Sequence, residues 1–245
     1  MSVLQLRKRL ELARRDAGDD RGVTMMELLV AMFLFGVLAT LLVTAVTTFS
    51  RTFTKDRVAT ENTSISATGM NEVTRVVRAS TMLERTGDDL APFAVAKPEE
   101  LTLYAYIDTN SATPQPVKVE FKVNATTRIL TETRWKAKPL AAGSPYWDFE
   151  ATPYSKRTIA RKIVVPATGA QTMFTYYSIN STTLLEEKMV PPATGLTAAN
   201  LLKVAVIEVN LTVQSDPTAR AKPVTIINRV GIPNLGVSRL GGPAS

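Results

Sequence analysis

Residues Val23 to Phe49 read VTMMELLVAMFLFGVLATLLVTAVTTF, with a single charge, Glu27, near the start of an otherwise uncharged run. The 19 residues from Leu28 to Val46, wound as a helix rising ~1.5 Å per residue, span roughly the 30 Å hydrocarbon core of a bilayer. The predicted element is therefore a helix of membrane length. Before it stands a basic, hydrophilic segment ending in Asp19-Asp20-Arg21-Gly22, so the chain passes from soluble to lipid-soluble at one glycine. A carboxylate inside hydrocarbon is unfavourable by ~2.5 to 3.5 kcal/mol on insertion scales, so Glu27 is expected at the interface or beside a cation. Snorkelling to the membrane surface meets the first requirement, and a nearby positive amino terminus meets the second.

The positive-inside rule places the leading segment in the cytoplasm and the rest of the chain outside, although Arg51, Lys55 and Arg57 beyond the helix weaken the asymmetry. A secretory signal is the competing reading. The apolar stretch is longer than a usual signal core, and Thr44-Ala45-Val46 is the nearest approach to an Ala-x-Ala site.

Gly22-Val23-Thr24-Met25-Met26-Glu27 followed by an apolar helix resembles the class III signal of type IV prepilins and pseudopilins. The resemblance implies that a prepilin peptidase cuts between Gly22 and Val23 and methylates the new amino terminus on Val23. Glu27 then becomes the fifth residue of the mature chain, where the family carries a glutamate that sets subunit registry against a neighbour's amino terminus. Gly36 matches a small residue of the same helix. Val23 replaces the usual Phe, and no Pro interrupts the helix. The implied partners are the peptidase, sister pilin or pseudopilin subunits, the cytoplasmic membrane and an inner-membrane assembly platform.

Downstream, Ser50 to Leu83 contains no Pro and no turn cluster. Val58, Ile65, Val73, Val76 and Leu83 recur at helical spacing with small Gly69 and Ser80 between them, while Thr60, Asn71, Thr74, Arg78 and Arg85 fall opposite. The helix is expected to continue to about residue 85 and to stop at Thr86-Gly87-Asp88-Asp89. Period two follows: Leu101, Leu103, Ala105 and Ile107 alternate with Thr102, Tyr104 and Tyr106, and Val117, Val119, Phe121 and Val123 with Lys118, Glu120 and Lys122. Asn124-Ala125-Thr126-Thr127 and Asn180-Ser181-Thr182-Thr183 read as the related tips of two hairpins. Further strands are expected at Thr158 to Val165, Lys203 to Val213 and Val224 to Val230, with Ala205, Ile207, Val209, Leu211 and Val213 facing the core.

The fold class is thus α+β, a long N-terminal helix, half transmembrane and half amphipathic, packed on a mostly antiparallel sheet of about six to eight strands, which is the pilin-like plan. The expected segments are a cleaved leader 1–22, a transmembrane or filament-core helix 23–49, its amphipathic continuation 50–85, an exported β-rich domain 86–232 and a Gly/Pro-rich tail 233–245.

The formal net charge of +7 divides into +2 on the leader and +5 on the remainder. The chain has no cysteine and no histidine, which excludes disulfides, thiol catalysis and the commonest metal ligands and general base. No Gly-rich phosphate loop or nucleophile-base motif is present. No catalytic residue, metal or cofactor is expected. Asn62, Asn124, Asn180 and Asn210 begin N-x-S/T triplets, read as turn or strand chemistry rather than glycan acceptors.

One surface stretch can carry more than fold. Between Trp135 and Lys162, the candidates Trp135, Lys136, Lys138, Trp147, Lys156 and Arg157 interleave aromatics with cations, joined by Tyr146, Tyr154, Arg134, Arg161 and Lys162. Exposed aromatics among cations can stack bases and neutralise phosphates; the plainer alternative is a long loop whose rings pack on the sheet edge. Three functions stay open. The first is a minor pilin or minor pseudopilin, a tip or priming subunit similar to W-type minor pilins or J-type minor pseudopilins. The second is a competence-type minor pilin that binds DNA, and the third a signal-anchored extracytoplasmic protein, enzyme included, unrelated to filaments. For the first, the implied location is the cytoplasmic membrane, N-terminus in and C-terminus out, and then an extracytoplasmic filament.

Overall fold

A computed structural model describes residues 23–83, 92–107, 114–138, 147–216 and 221–232. The leader, the Thr86 to Asp89 stop, Tyr146 and the tail lie outside them. The chain divides into two compact units, Met1–Thr54 and Lys55–Ser245. Helix α1, Met25–Arg78, supplies the described part of the first unit and enters the second.

In the first unit the apolar side chains of α1 point outward on every side and nearly all are exposed, from Leu28 to Phe53. A helix apolar all round needs a covering of lipid or other helices. Several of its hydroxyls return to the helix backbone, Thr40 donating to the Gly36 carbonyl at 2.8 Å, Thr44 to Thr40 at 2.8 Å and Thr47 to Thr44 at 3.0 Å. That is the bonding a water-free medium requires.

In the second unit α1 buries Asn62, Ser66, Gly69, Met70, Val73, Thr74, Val76 and Val77. The predicted stripe is right at Gly69, Val73 and Val76. Thr74, expected outside, is buried, its hydroxyl returned to the Met70 carbonyl at 2.8 Å. The helix ends at Arg78, seven residues before the expected limit. Ser80 bridges Ala105, and the Thr81 N–H donates to the Tyr104 carbonyl at 2.8 Å. A Thr- and Ser-rich segment of weak helix propensity thus exchanges helical bonds for strand bonds. Leu83 is buried, but outside the helix.

Nine strands are present among the described residues: β1 Phe93–Ala96, β2 Glu100–Ala105, β3 Val117–Val123, β4 Leu130–Lys136, β5 Ser155–Ala160, β6 Phe174–Ile179, β7 Glu186–Met189, β8 Val204–Val213 and β9 Val224–Gly231. A four-residue helix α2, Ala198–Leu201, precedes β8. All strand pairings among the described residues are antiparallel. They form two sheets rather than the expected one, ordered β1-β2-β3-β4-β5 and β7-β6-β8-β9. The reason lies in β8. Its first half pairs with β6, after which Val164 donates to Thr212 O and Gln214 to Lys162 O, each at 3.0 Å. The chain leaving β5 thereby takes over that side of β8. Strand β5 itself stops at Ala160, short of the expected Val165, and Lys162 just beyond has a left-handed φ of 57°.

Between sheets and helix lies one core, in which Met70, Val73, Val76 and Val77 meet Leu101, Phe121, Phe174, Tyr176, Ile207 and Leu211. In β8 the core residue is Val204 and not Ala205, because a bulge shifts the pairing between Tyr177 and Ser178. Strand β2 buries both faces, Thr102 and Tyr104 included. A second cluster of Leu83, Tyr104, Ala137 and Phe149 accounts for Tyr104, whose ring stacks on Phe149 at 5.2 Å between centroids.

The two hairpin tips match. Asn124 Oδ1 accepts the N–H of Thr126 and Thr127 at 2.9 and 2.8 Å, and Asn180 Oδ1 those of Thr182 and Thr183 at 2.9 and 3.1 Å. Each turn closes through a left-handed residue, Arg128 or Leu184. Asparagine side chains that imitate a backbone turn are the physical content of the repeated pattern.

Candidate functional site

The N-terminal end of α1 is built from its own sequence. Val23 is exposed and non-helical. Thr24 caps the helix, its carbonyl accepting the Leu28 N–H at 3.1 Å and its hydroxyl the Glu27 N–H at 3.2 Å. Thr24-x-x-Glu27 therefore has the spacing of a capping box, and it puts the carboxylate in the first turn, where the positive helix end favours an anion. Gly22, the other side of the expected scissile bond, lies outside the described residues.

The aromatic and basic stretch is dispersed over β4, β5 and their connection. Trp135 and Trp147 are half-buried against the second cluster, and Lys118 lies 4.3 Å over the Trp135 ring. Lys138 pairs with Asp148 at 2.6 Å, and Lys136 stands 5.3 Å from the Tyr154 ring. Lys156 is exposed on the edge strand β5. Arg157 is turned instead into an ion network.

That network was not legible in the sequence, because its members come together only through strand register and helix packing. Glu132, fully buried on β4, accepts from Arg134 at 2.7 Å and from Arg157 directly opposite on β5. Glu72 of α1 accepts from Arg75 at 2.7 Å, from Arg134 at 3.1 Å and from Arg157. Burial of Glu72 works to raise its carboxyl pKa, but the hydrogen bond from Arg75 and the charges of Arg157, Arg75 and Arg134 outweigh it and hold the group below the ordinary 4.5. Glu100 behaves likewise: burial raises, while Lys122 and Lys97 lower further.

The sign follows. Carboxyls depressed in the folded state bind fewer protons than in the unfolded chain, so their stabilisation is complete above pH about 4.5 and is lost as pH falls through the folded values. Urea midpoints measured from pH 7 to 3 should decline below about 4.5, less steeply in a Glu72→Gln, Glu100→Gln variant. A midpoint that holds or rises on acidification would contradict this.

With the geometry in view, comparison with known proteins gives one family match. Residues 19–43 match the prokaryotic N-terminal methylation motif. The chain therefore carries a class III prepilin signal, and a long N-terminal helix followed by antiparallel sheets makes it pilin-like or pseudopilin-like. The signal and fold point to a structural subunit rather than an enzyme, and the signal implies a prepilin peptidase and other pilin subunits as partners. No curated protein matches the chain.

Proposed function

We propose that this chain is a minor pilin or minor pseudopilin, held in the cytoplasmic membrane as a single-pass precursor with its N-terminus inside. Cleavage between Gly22 and Val23 and methylation of Val23 release residues 23–49 as a filament-core helix. Residues 50–85 continue the chain into the β-rich domain 86–232, which is displayed outside with the tail 233–245. Glu27 pairs with the amino terminus of a neighbouring subunit. The size of the β-rich part and the lack of cysteine favour a low-copy tip or priming position.

One observation carries this reading. The apolar half of α1 has no cover in its own unit, and its capped start lies immediately after the Gly22–Val23 bond. Such a helix serves first in lipid and then among similar helices without refolding. In cells, Glu27→Leu should leave processing intact and lower incorporation into sheared filaments or cross-linked assemblies at least about tenfold, the effect of losing roughly 1.4 kcal/mol or more per contact. Normal incorporation of Glu27→Leu would remove Glu27 from registry.

A further inference from the structure

A cavity of about 990 Å³ opens in the second unit where several segments converge: the end of α1, the β6–β7 tip, the turn before β8 and the chain at the end of β9. Its charges set it apart. In a smaller cavity lined by Lys97, Lys122 and Arg128, each cation meets a carboxylate, Glu100 at 3.3 and 2.9 Å and Glu99 at 2.7 Å. Arg78 and Lys203, which line the large cavity, have no carboxylate partner among the described residues. Glu187 is the one carboxylate among the described lining residues, and it accepts from Asn180 Nδ2 at 2.6 Å. A position in the last turn of α1 explains a cation at Arg78 through the helix dipole, but it does not explain Lys203.

The remaining lining is of two kinds. Ser181 and Thr182 present hydroxyls beside the turn held by Asn180, whereas Leu202, Val206 and Ile232 supply methyl groups. No aromatic ring lines the cavity among the described residues, so it lacks the platform on which a base would stack. Excess positive charge, hydroxyl groups and an aliphatic floor together suit an extended chain that alternates carboxylates with apolar side chains and carries peptide groups for the hydroxyls. The volume is at the upper end of the range for small-ligand sites.

We infer that this cavity binds an acidic peptide segment, with Arg78 and Lys203 receiving its carboxylates and Leu202, Val206 and Ile232 its apolar side chains. The inference is independent of how the N-terminus is processed.

The test uses the full chain in detergent micelles and a fluorescent heptapeptide alternating valine and glutamate, with a valine–glutamine peptide as control. Anisotropy should report saturable binding of the acidic peptide that weakens as salt rises from 50 to 300 mM, roughly a Debye length of 14 to 6 Å. Arg78→Gln with Lys203→Gln should weaken it at least about tenfold, two lost charge-assisted contacts, while Lys156→Gln on the opposite sheet should leave it unchanged. Gly231→Leu supplies a second variant: Gly231 lines the cavity and a Cβ there meets nothing within 4 Å, and binding should be lost. Binding that is absent at 50 mM salt, equal for the glutamine peptide, or indifferent to both variants overturns the inference. Tighter binding of trigalacturonate than of the acidic peptide overturns the assignment to peptides.

Discussion

Glu132→Ala is expected to destabilise the second unit by about 3 kcal/mol, the lower end of the cost of breaking a buried ion pair from one side. The carboxylate has no exposed surface and bonds Arg134 and Arg157, and both arginines also reach Glu72 on α1. Removing it leaves the guanidinium groups of Arg75, Arg134 and Arg157 sharing the single carboxylate of Glu72. Arg157 is nearly half exposed and Arg134 partly so, so water relieves part of the loss, which places the effect at the lower end of the range. Glu132→Ala and Arg157→Ala should be non-additive by at least about 1 kcal/mol in a double-mutant cycle, since each removes the same contact. Urea unfolding followed by Trp135 and Trp147, both packed against the second cluster, reads the change. A Glu132→Ala loss below about 1 kcal/mol would show the network to be no stronger than a surface pair.

A second large effect is expected at Gly69. A Cβ built there lies 3.0 Å from Leu211 Cδ2, 3.3 Å from Ala160 Cβ and 3.7 Å from Ile159 Cγ2. This is where α1 approaches β5 and β8 most closely among the glycine positions of the helix. Gly69→Leu should cost about 3 kcal/mol or more, beyond the common range for overpacking, because the blocking atoms belong to two strands of different sheets. Gly69→Ala should stay within about 1 kcal/mol of the parent, its gain in helix propensity offsetting a tight contact. Gly36 is the control: nothing lies within 4 Å of its Cβ, so Gly36→Leu should leave unfolding of the second unit unchanged. Equal effects at the two glycines would refute the packing argument, since replacing either glycine by leucine raises helix propensity.

These two residues also mark the limit of what the chain reveals by itself. Apolar periodicity located α1, β3, β8 and β9, and the repeated Asn-x-Thr-Thr pattern located both hairpin tips, since each signal is local. Gly69 stood out as a small residue in an apolar stripe, but Leu211 and Ala160, which require it to be small, come from far along the chain. Glu132 carried no signal, since a glutamate in an alternating strand reads as solvent-facing until Arg157 is known to lie opposite. The same holds for β2: Thr102 and Tyr104 alternate as an outer face should, yet they are buried. The division into two sheets depended on a change of partner halfway along β8. For the candidate site, the position of Glu27 at the start of the apolar helix was readable from the sequence, whereas the Thr24 cap and the pairing of Lys138 and Arg157 with carboxylates required the folded chain.

If this chain is a processed filament subunit, the N-terminal mass of the mature protein will show it. Cells with and without the prepilin peptidase should be compared, together with Gly22→Ala. A chain beginning at N-methylated Val23 should appear only when both the peptidase and Gly22 are present. An intact N-terminus in all three samples, or a cut beyond Val46 by another peptidase, would contradict it and make the chain an anchored or secreted β-rich protein.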